Sequence, residues 1–368
     1  MSQTNNFFNS GFDDATLMKL LIFEEYVKSW LPVFIKQEKD LIYIFDFFAG
    51  AGYDSKNNPG SPIRILEQIK IYQSIIYKTK IKLFFNEYNK KNYEKLKFNC
   101  NNYFKENPSL NKVVEIEYFN LGFEDIFNNL RNKIGNFPSL VFMDQYGVKY
   151  STHIVEFEYF NKTDFMIFIS SSFLKRFVKT LEFKNSLNLT NEEIERLINT
   201  PYKLIHEATL KFLKARLPKD SSVRLYPFSL KKGKNIYGLI FGSKHILAAE
   251  KFLKIVWKIS SDNGSANYDI YNDKEKRELN LFPELVDKTT VESFQEEFER
   301  KILEGRIETN VDAYYFTLEN GHIPKHAMDV IVKLKKQGKI YYDSRGPLVN
   351  YTKAIKQRRI IKYEKIKN

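Results

Sequence analysis

The sequence is short of several residue types and patterns, and each shortage excludes something. Cysteine occurs once, as Cys100, so no internal disulfide can form, and no CxxC or Cys/His cluster is present to hold zinc or an iron–sulfur cluster. No metal ligands are expected. No uncharged apolar run reaches the roughly 18 residues of a membrane helix, and the opening MSQTNNFFNSGFDD has neither the basic start nor the apolar core of a signal peptide. A cytoplasmic protein without a membrane partner is the expectation. Arginine is scarce, 12 against 46 lysines, in a chain rich in Asn, Ile and Phe. That pattern fits genome composition bias as well as function.

Apolar and aromatic residues, in contrast, are plentiful. Hydrophobic residues make up 43% of the 368, with 32 Phe, 23 Tyr and 2 Trp, which excludes a disordered chain. At about 150 residues per domain, this length implies two domains with room for a smaller third piece. The net charge of +13 is unevenly spread: residues 321–368 hold 13 Lys and Arg against 3 Asp and Glu. Basicity is therefore a C-terminal property, which suits a polyanion such as nucleic acid, or simply a solvated lysine-rich tail.

The periodicity alternates short apolar strands with longer amphipathic helices, the α/β pattern. Strands are predicted near 42–47, 81–86, 113–118, 139–144 and 165–170, after an N-terminal helix over 15–37 and with helices at 62–78, 89–104, 122–133 and 151–160. Nearly continuous apolar strands suit a parallel sheet covered on both faces. A helical insertion at about 173–217 precedes strands 223–230 and 236–242, whose short connection permits only an antiparallel hairpin. The first domain is thus expected over 1–260, ending in a long helix, with a polar linker at 261–285. A basic winged-helix-like domain follows over 286–368: helices at 290–304, 311–318 and 324–337, then two strands at 339–343 and 347–352 around a turn at 344–347.

Three constellations carry candidate chemistry. In IYIFDFFAGAGYDS an apolar strand runs into Asp46, Gly50 and Gly52, where glycines let the backbone turn tightly and approach a ligand at the strand's carboxyl end. Ser55 stands where a dehydrogenase fingerprint has its third glycine, and an acid precedes the glycines. Asp-x-x-x-Gly-x-Gly instead fits S-adenosylmethionine (SAM) or its product S-adenosylhomocysteine (SAH), with Phe47 and Ala49 in the same turn. A structural strand-to-helix turn is the plainer alternative. Glu87, ending the second strand, can accept bonds from both ribose hydroxyls, or merely cap its strand against a lysine. In FMDQYGVK, Asp144 and Tyr146 end the fourth strand, where an acid can accept a hydrogen bond from a target amine and a ring can stack on a planar substrate.

Read in order, DFFAGAG, NPGSPIRILEQI, FNEYNKKNYEKL, VFMDQYG and YGLIFGSKHILAAEKFLKIVWKI resemble the three-Cys-motif partner protein (TcmP) family over nearly the whole chain. The resemblance implies a Rossmann-like class I SAM-dependent methyltransferase sheet with a C-terminal winged-helix-like domain, in a prokaryotic protein associated with a radical-SAM-like partner bearing three cysteines. Gln145 departs from the D-P-F-G usual in that family's fourth motif. The basic C-terminal surface offers Lys325, Lys333, Lys335 and Lys336 on the last helix, Arg345 in the wing, and Arg358 and Arg359 beyond, to phosphates or to a docked protein. Two functions stay open: a methyltransferase acting on nucleic acid or a nucleic-acid-associated target, or a non-catalytic nucleotide-, DNA- or partner-binding protein of a multi-component prokaryotic system such as phage defence. His153, His206 and His326 have no metal-ligand spacing and are expected to be core or surface residues, and Ser170–Ser172 to belong to a strand end.

Overall fold

The computed structural model describes residues 11–180, 183–184, 187–278 and 288–366 and divides into two compact units, Met1–His245 and Ile246–Asn368. In the first, the apolar runs form a seven-stranded sheet: β1 (Leu41–Asp46), β2 (Lys80–Asn86), β3 (Val114–Phe119), β4 (Ser139–Met143), β5 (Thr163–Ile169), β6 (Arg224–Lys232) and β7 (Asn235–Ser243). Their spatial order is β3-β2-β1-β4-β5-β7-β6, with β1 to β5 parallel and β7 antiparallel to both β5 and β6. This is the class I methyltransferase sheet. The chain leaves β1 for one edge and returns to β4 for the other, so the switch point lies between β1 and β4, with Asp46 in register with Phe142.

Local rules account for the elements. Helix α1 (Asp14–Ile35) starts where Asp13 accepts hydrogen bonds from the amides of Ala15 and Thr16, and it buries Ile22, Phe23, Tyr26 and Trp30. Tyr26 donates to the buried Asp164 of β5 at 2.7 Å and Phe23 stacks on Phe142 of β4 at 4.1 Å, which seats α1 on the sheet. Helix α2 (Ser61–Tyr72) opens with Pro62 in its first turn, and α3 (Lys90–Glu106) with Asn89 accepting from the Asn92 amide. Helix α4 (Phe123–Leu130) follows β3. The predicted helix at 151–160 is 3₁₀ over Ser151–Glu158. The insertion breaks into α5 (Ser171–Phe177), α6 (Asn191–Asn199) and α7 (Ile205–Lys214). At Gly242 a Cβ would meet the Phe165 ring at 2.0 Å, so this glycine lets β7 pair beside an aromatic ring.

The second unit contains α8 (Ile246–Ile259), α9 (Asp273–Glu278), α10 (Thr290–Leu303), α11 (Asn310–Glu319), α12 (Pro324–Lys336) and the ribbon β8 (Ile340–Tyr341) with β9 (Glu364–Lys365). Capping boxes start α10 (Thr289 with Glu292) and α11 (Thr309 with Asp312). Phe298, Ala313, Leu318, Ala327, Ile331 and Leu334 fill the core, and Met328 is half-buried.

Several expectations are corrected. The wing strand pairs with 364–365 rather than with 347–352, and Tyr351–Lys356 is a π-helical turn. The reason is Asn310: its Nδ2 donates to the carbonyls of Leu348 and Arg359 and its Oδ1 accepts from the Ile361 amide, drawing the chain after the turn back across α11. The helix at 246–259 lies in the second unit, although the expected first domain ran to 260. Within the expected linker, Ala266, Ile270 and Asp273 are buried; its residues 279–285, with 286–287 of the expected second domain, lie outside the described residues.

Candidate cofactor site and C-terminal basic surface

At the carboxyl end of β1, Asp46 is fully buried, its two oxygens accepting from Ser61 Oγ at 2.6 Å and from the Phe48 amide at 3.2 Å. Burial raises its carboxyl to about 7; the two hydrogen bonds oppose the shift, and the like charges of Asp144 and Glu87 add to it. A carboxyl so placed gains from a cation nearby, yet with no exposed surface it acts through its field and through the turn it fixes. Gly50 and Gly52 take φ of +67° and +87°, the left-handed region that glycine adopts without steric cost. The Gly52 carbonyl accepts from the Gly60 amide at 2.7 Å, tying this loop to the start of α2.

Glu87 sits just beyond β2 and reaches across: one oxygen accepts from the Gly50 amide at 3.0 Å, the other from the Asn89 amide at 2.7 Å. Burial raises its carboxyl. Each oxygen retains a lone pair for a ligand hydroxyl, so the acid can both set the glycine turn and hold a ribose. Ala49 is buried, its amide donating to the Asn86 carbonyl at 2.9 Å. Phe47 turns into the core against Phe45 and Phe127; the half-buried Phe48 stacks on Phe123 at 5.4 Å, with Tyr150 beyond at 4.4 Å from Phe123.

Beyond β4, Asp144 meets a partner that sequence reasoning missed, Lys19 of α1, at 2.5 Å. The Lys19 side chain is only 6% exposed and lies 4.2 Å from the Phe168 ring centroid. Its place in the heptad-like run Ala15, Ile22, Phe23, Tyr26 was the available signal: a lysine at an inward position of an apolar stripe. Gln145 is buried; its Oε1 accepts from the Tyr150 amide at 2.7 Å while its Nε2 has no hydrogen-bond partner among the described residues. Tyr146 is 72% exposed, edge-on to Phe173 at 5.6 Å. The loop thus buries the glutamine and presents the tyrosine.

Ser171 and His206 form a buried structural pair. His206 Nε2 faces the Leu239 carbonyl at 3.0 Å and so carries the proton, leaving Nδ1 to accept from Ser171 at 2.9 Å; burial lowers the imidazole to about 4. Among the described residues no cluster of three or more His, Cys, Asp or Glu could hold a metal ion, and no helix is long and apolar enough to cross a membrane.

In the second unit the seven basic candidates divide. Lys333 pairs with Glu299 at 3.1 Å, which Lys339 also reaches at 3.3 Å. Lys335 donates to the Tyr342 carbonyl at 2.9 Å and covers that ring at 3.9 Å, so it joins α12 to the wing. Lys325, Lys336, Arg345, Arg358 and Arg359 are exposed. A second feature was not evident from the sequence: His322 and His326, four residues apart, bring their Nδ1 atoms to 3.0 Å between Phe294 and Trp257. Burial lowers them to about 3 and about 4. Because folding depresses both below the unfolded value near 6.5, their stabilising contribution is complete above pH 6.5 and is lost as the pH falls toward 4. Urea unfolding reported by Trp257 fluorescence in a Trp30→Phe background should show a midpoint that drops between pH 7 and pH 5; a His322→Phe, His326→Leu double variant should flatten that drop.

Residues 270–347 match the family model of the GMT-like wHTH domain. The second unit carries a winged helix-turn-helix. No curated protein matches the chain. Solved structures similar to it include a Legionella pneumophila protein described by the family model DUF519, at 14% identity over 62% of this chain and 84% of that one, TM-score 0.33. A putative O-methyltransferase from Klebsiella pneumoniae aligns at 8% identity over 63% and 90%, TM-score 0.31, and loganic acid methyltransferase with SAH at 12% over 73% and 92%, TM-score 0.26. The strand order, rather than these likenesses, is what identifies the sheet.

Proposed function

We propose that the chain is a SAM-dependent methyltransferase of the TcmP family, acting on nucleic acid or a nucleic-acid-associated target delivered by the winged helix-turn-helix, beside a three-cysteine partner protein. The observation that carries this reading is the convergence of Asp46, Gly50 and Glu87 at the switch point. Glu87 accepts from the Gly50 amide, and a buried carboxyl next to the glycine turn favours a ligand with a cationic end. SAM has that cationic end, and its ribose offers two hydroxyls to Glu87. Tyr146 is exposed just beyond the end of β4, where a ring faces solvent and can meet a planar base.

A second reading is favoured by one contact. Lys19 already donates to one of the two Asp144 oxygens, which lowers the acid's capacity to accept from a target amine and suits a module that binds SAM or SAH without turnover. Incubation of the full chain with methyl-labelled SAM and DNA, RNA or lysate protein separates the two. Label transfer that Glu87→Ala reduces at least tenfold supports the enzyme; tight SAM binding with no transfer to any of them supports the binding module.

A further inference from the structure

Lys19 does more than anchor a helix. Its ammonium is buried on an apolar face of α1, held between the Asp144 carboxylate at 2.5 Å and the face of Phe168 at 4.2 Å, and Phe168 is itself stacked on Tyr237 at 5.6 Å. Asp144 remains 24% exposed, so the pair meets solvent through the acid. Three carboxylates, Asp46, Glu87 and Asp144, lie at the carboxyl ends of the adjacent strands β1, β2 and β4, and Asp144 comes two residues after Phe142, the register partner of Asp46. A ligand lying across the switch point therefore passes close to Asp144, whose charge Lys19 offsets.

Resting on the reading of this site as a SAM site, we infer that Lys19 is a specificity-determining residue that sets the balance between SAM and SAH. The two ligands differ at one atom in charge: SAM carries a sulfonium, SAH a neutral thioether. Transfer breaks the S–CH₃ bond, leaves its electron pair on sulfur and forms the bond from methyl to the acceptor, so the positive charge on sulfur disappears as the reaction proceeds. An uncompensated carboxylate beside the sulfonium would stabilise the ground state more than the transition state and raise the barrier. Lys19, by neutralising Asp144, removes that trap and leaves recognition of the cofactor to Asp46 and Glu87.

The test is calorimetric titration of SAM and of SAH into the full chain. Lys19→Met, which keeps the stem over Phe168, is expected to raise the ratio of SAH to SAM dissociation constants about tenfold, and Lys19→Met with Asp144→Asn to return it to the wild-type value. Asp144→Asn alone leaves the ammonium uncompensated and moves the ratio the other way, which keeps the test alive if Lys19→Met does not fold. An unchanged ratio in the single variants, or equal weakening of both ligands, overturns the inference while leaving the SAM site intact. Absence of SAM binding by the wild type overturns the underlying reading itself.

Discussion

At pH 8, Asp46→Asn should bind SAM about tenfold more weakly than the wild type and yet unfold several degrees higher. Both effects follow from one buried carboxyl whose hydrogen-bond partners among the described residues, Ser61 and the Phe48 amide, are neutral. Its folded value near 7 lies above the unfolded value of 3.8, so the folded state holds the extra proton between those limits. Stability therefore falls as pH rises from about 4 to 7, and the whole cost is present above 7. The amide keeps both contacts, its oxygen accepting from Phe48 and its NH₂ donating to Ser61 Oγ, while removing the charge. The gain should be about 1–3 kcal/mol at pH 8 and vanish near pH 4. The loss of affinity has the opposite pH dependence: wild-type binding weakens as pH falls through 7 and Asp46 takes up its proton, and the variant's does not. Thermal unfolding at pH 8 and pH 4.5, with SAM titrations over pH 6–8.5, checks both halves.

Charge reversal of Lys325, Lys336 and Arg345 together should cost at least a hundredfold in affinity for a short DNA duplex at low salt. These three are exposed on α12 and the wing, whereas Lys333 is paired with Glu299 and Lys335 is folded over Tyr342. Every phosphate left without its cation takes about 0.9 off the slope of log affinity against log salt, so the triple variant should flatten that slope by nearly 3. Reversal of the exposed Lys39, Lys211 and Lys219 in the first unit serves as the control and should have little effect. Fluorescence anisotropy across 25–200 mM salt reads both quantities. If the wild type binds no duplex, single strand or RNA at low salt, the winged helix is a protein-docking module.

Strand positions and the α/β class were legible because an apolar strand buried on both faces leaves a continuous run that charged helices interrupt, and each predicted strand of the first unit falls within two residues of the observed one. The glycine turn was legible for a similar reason: φ near +67° and +87° leaves few other residue types possible. What sequence spacing could not give was long-range pairing. Lys19 and Asp144 lie 125 positions apart, and only the packing of α1 against β4 and β5 joins them. The wing was misread because 347–352 has strand composition but is bent by Asn310, whose three backbone partners lie up to 51 positions away. The burial of Phe47 beside the glycine turn was likewise not given by its position in the motif.

The central claim, that a cationic nucleoside cofactor binds where Asp46, Gly50 and Glu87 converge, is tested most directly by titrating SAM into the full chain at pH 7 in two buffers of different ionisation enthalpy. A bound cation pulls the Asp46 carboxyl down from about 7, so binding should release part of a proton. The apparent heat should then differ between phosphate and Tris, the difference disappearing at pH 8.5 and in Asp46→Asn. No SAM binding, or binding whose heat is the same in both buffers at pH 7, would contradict the account.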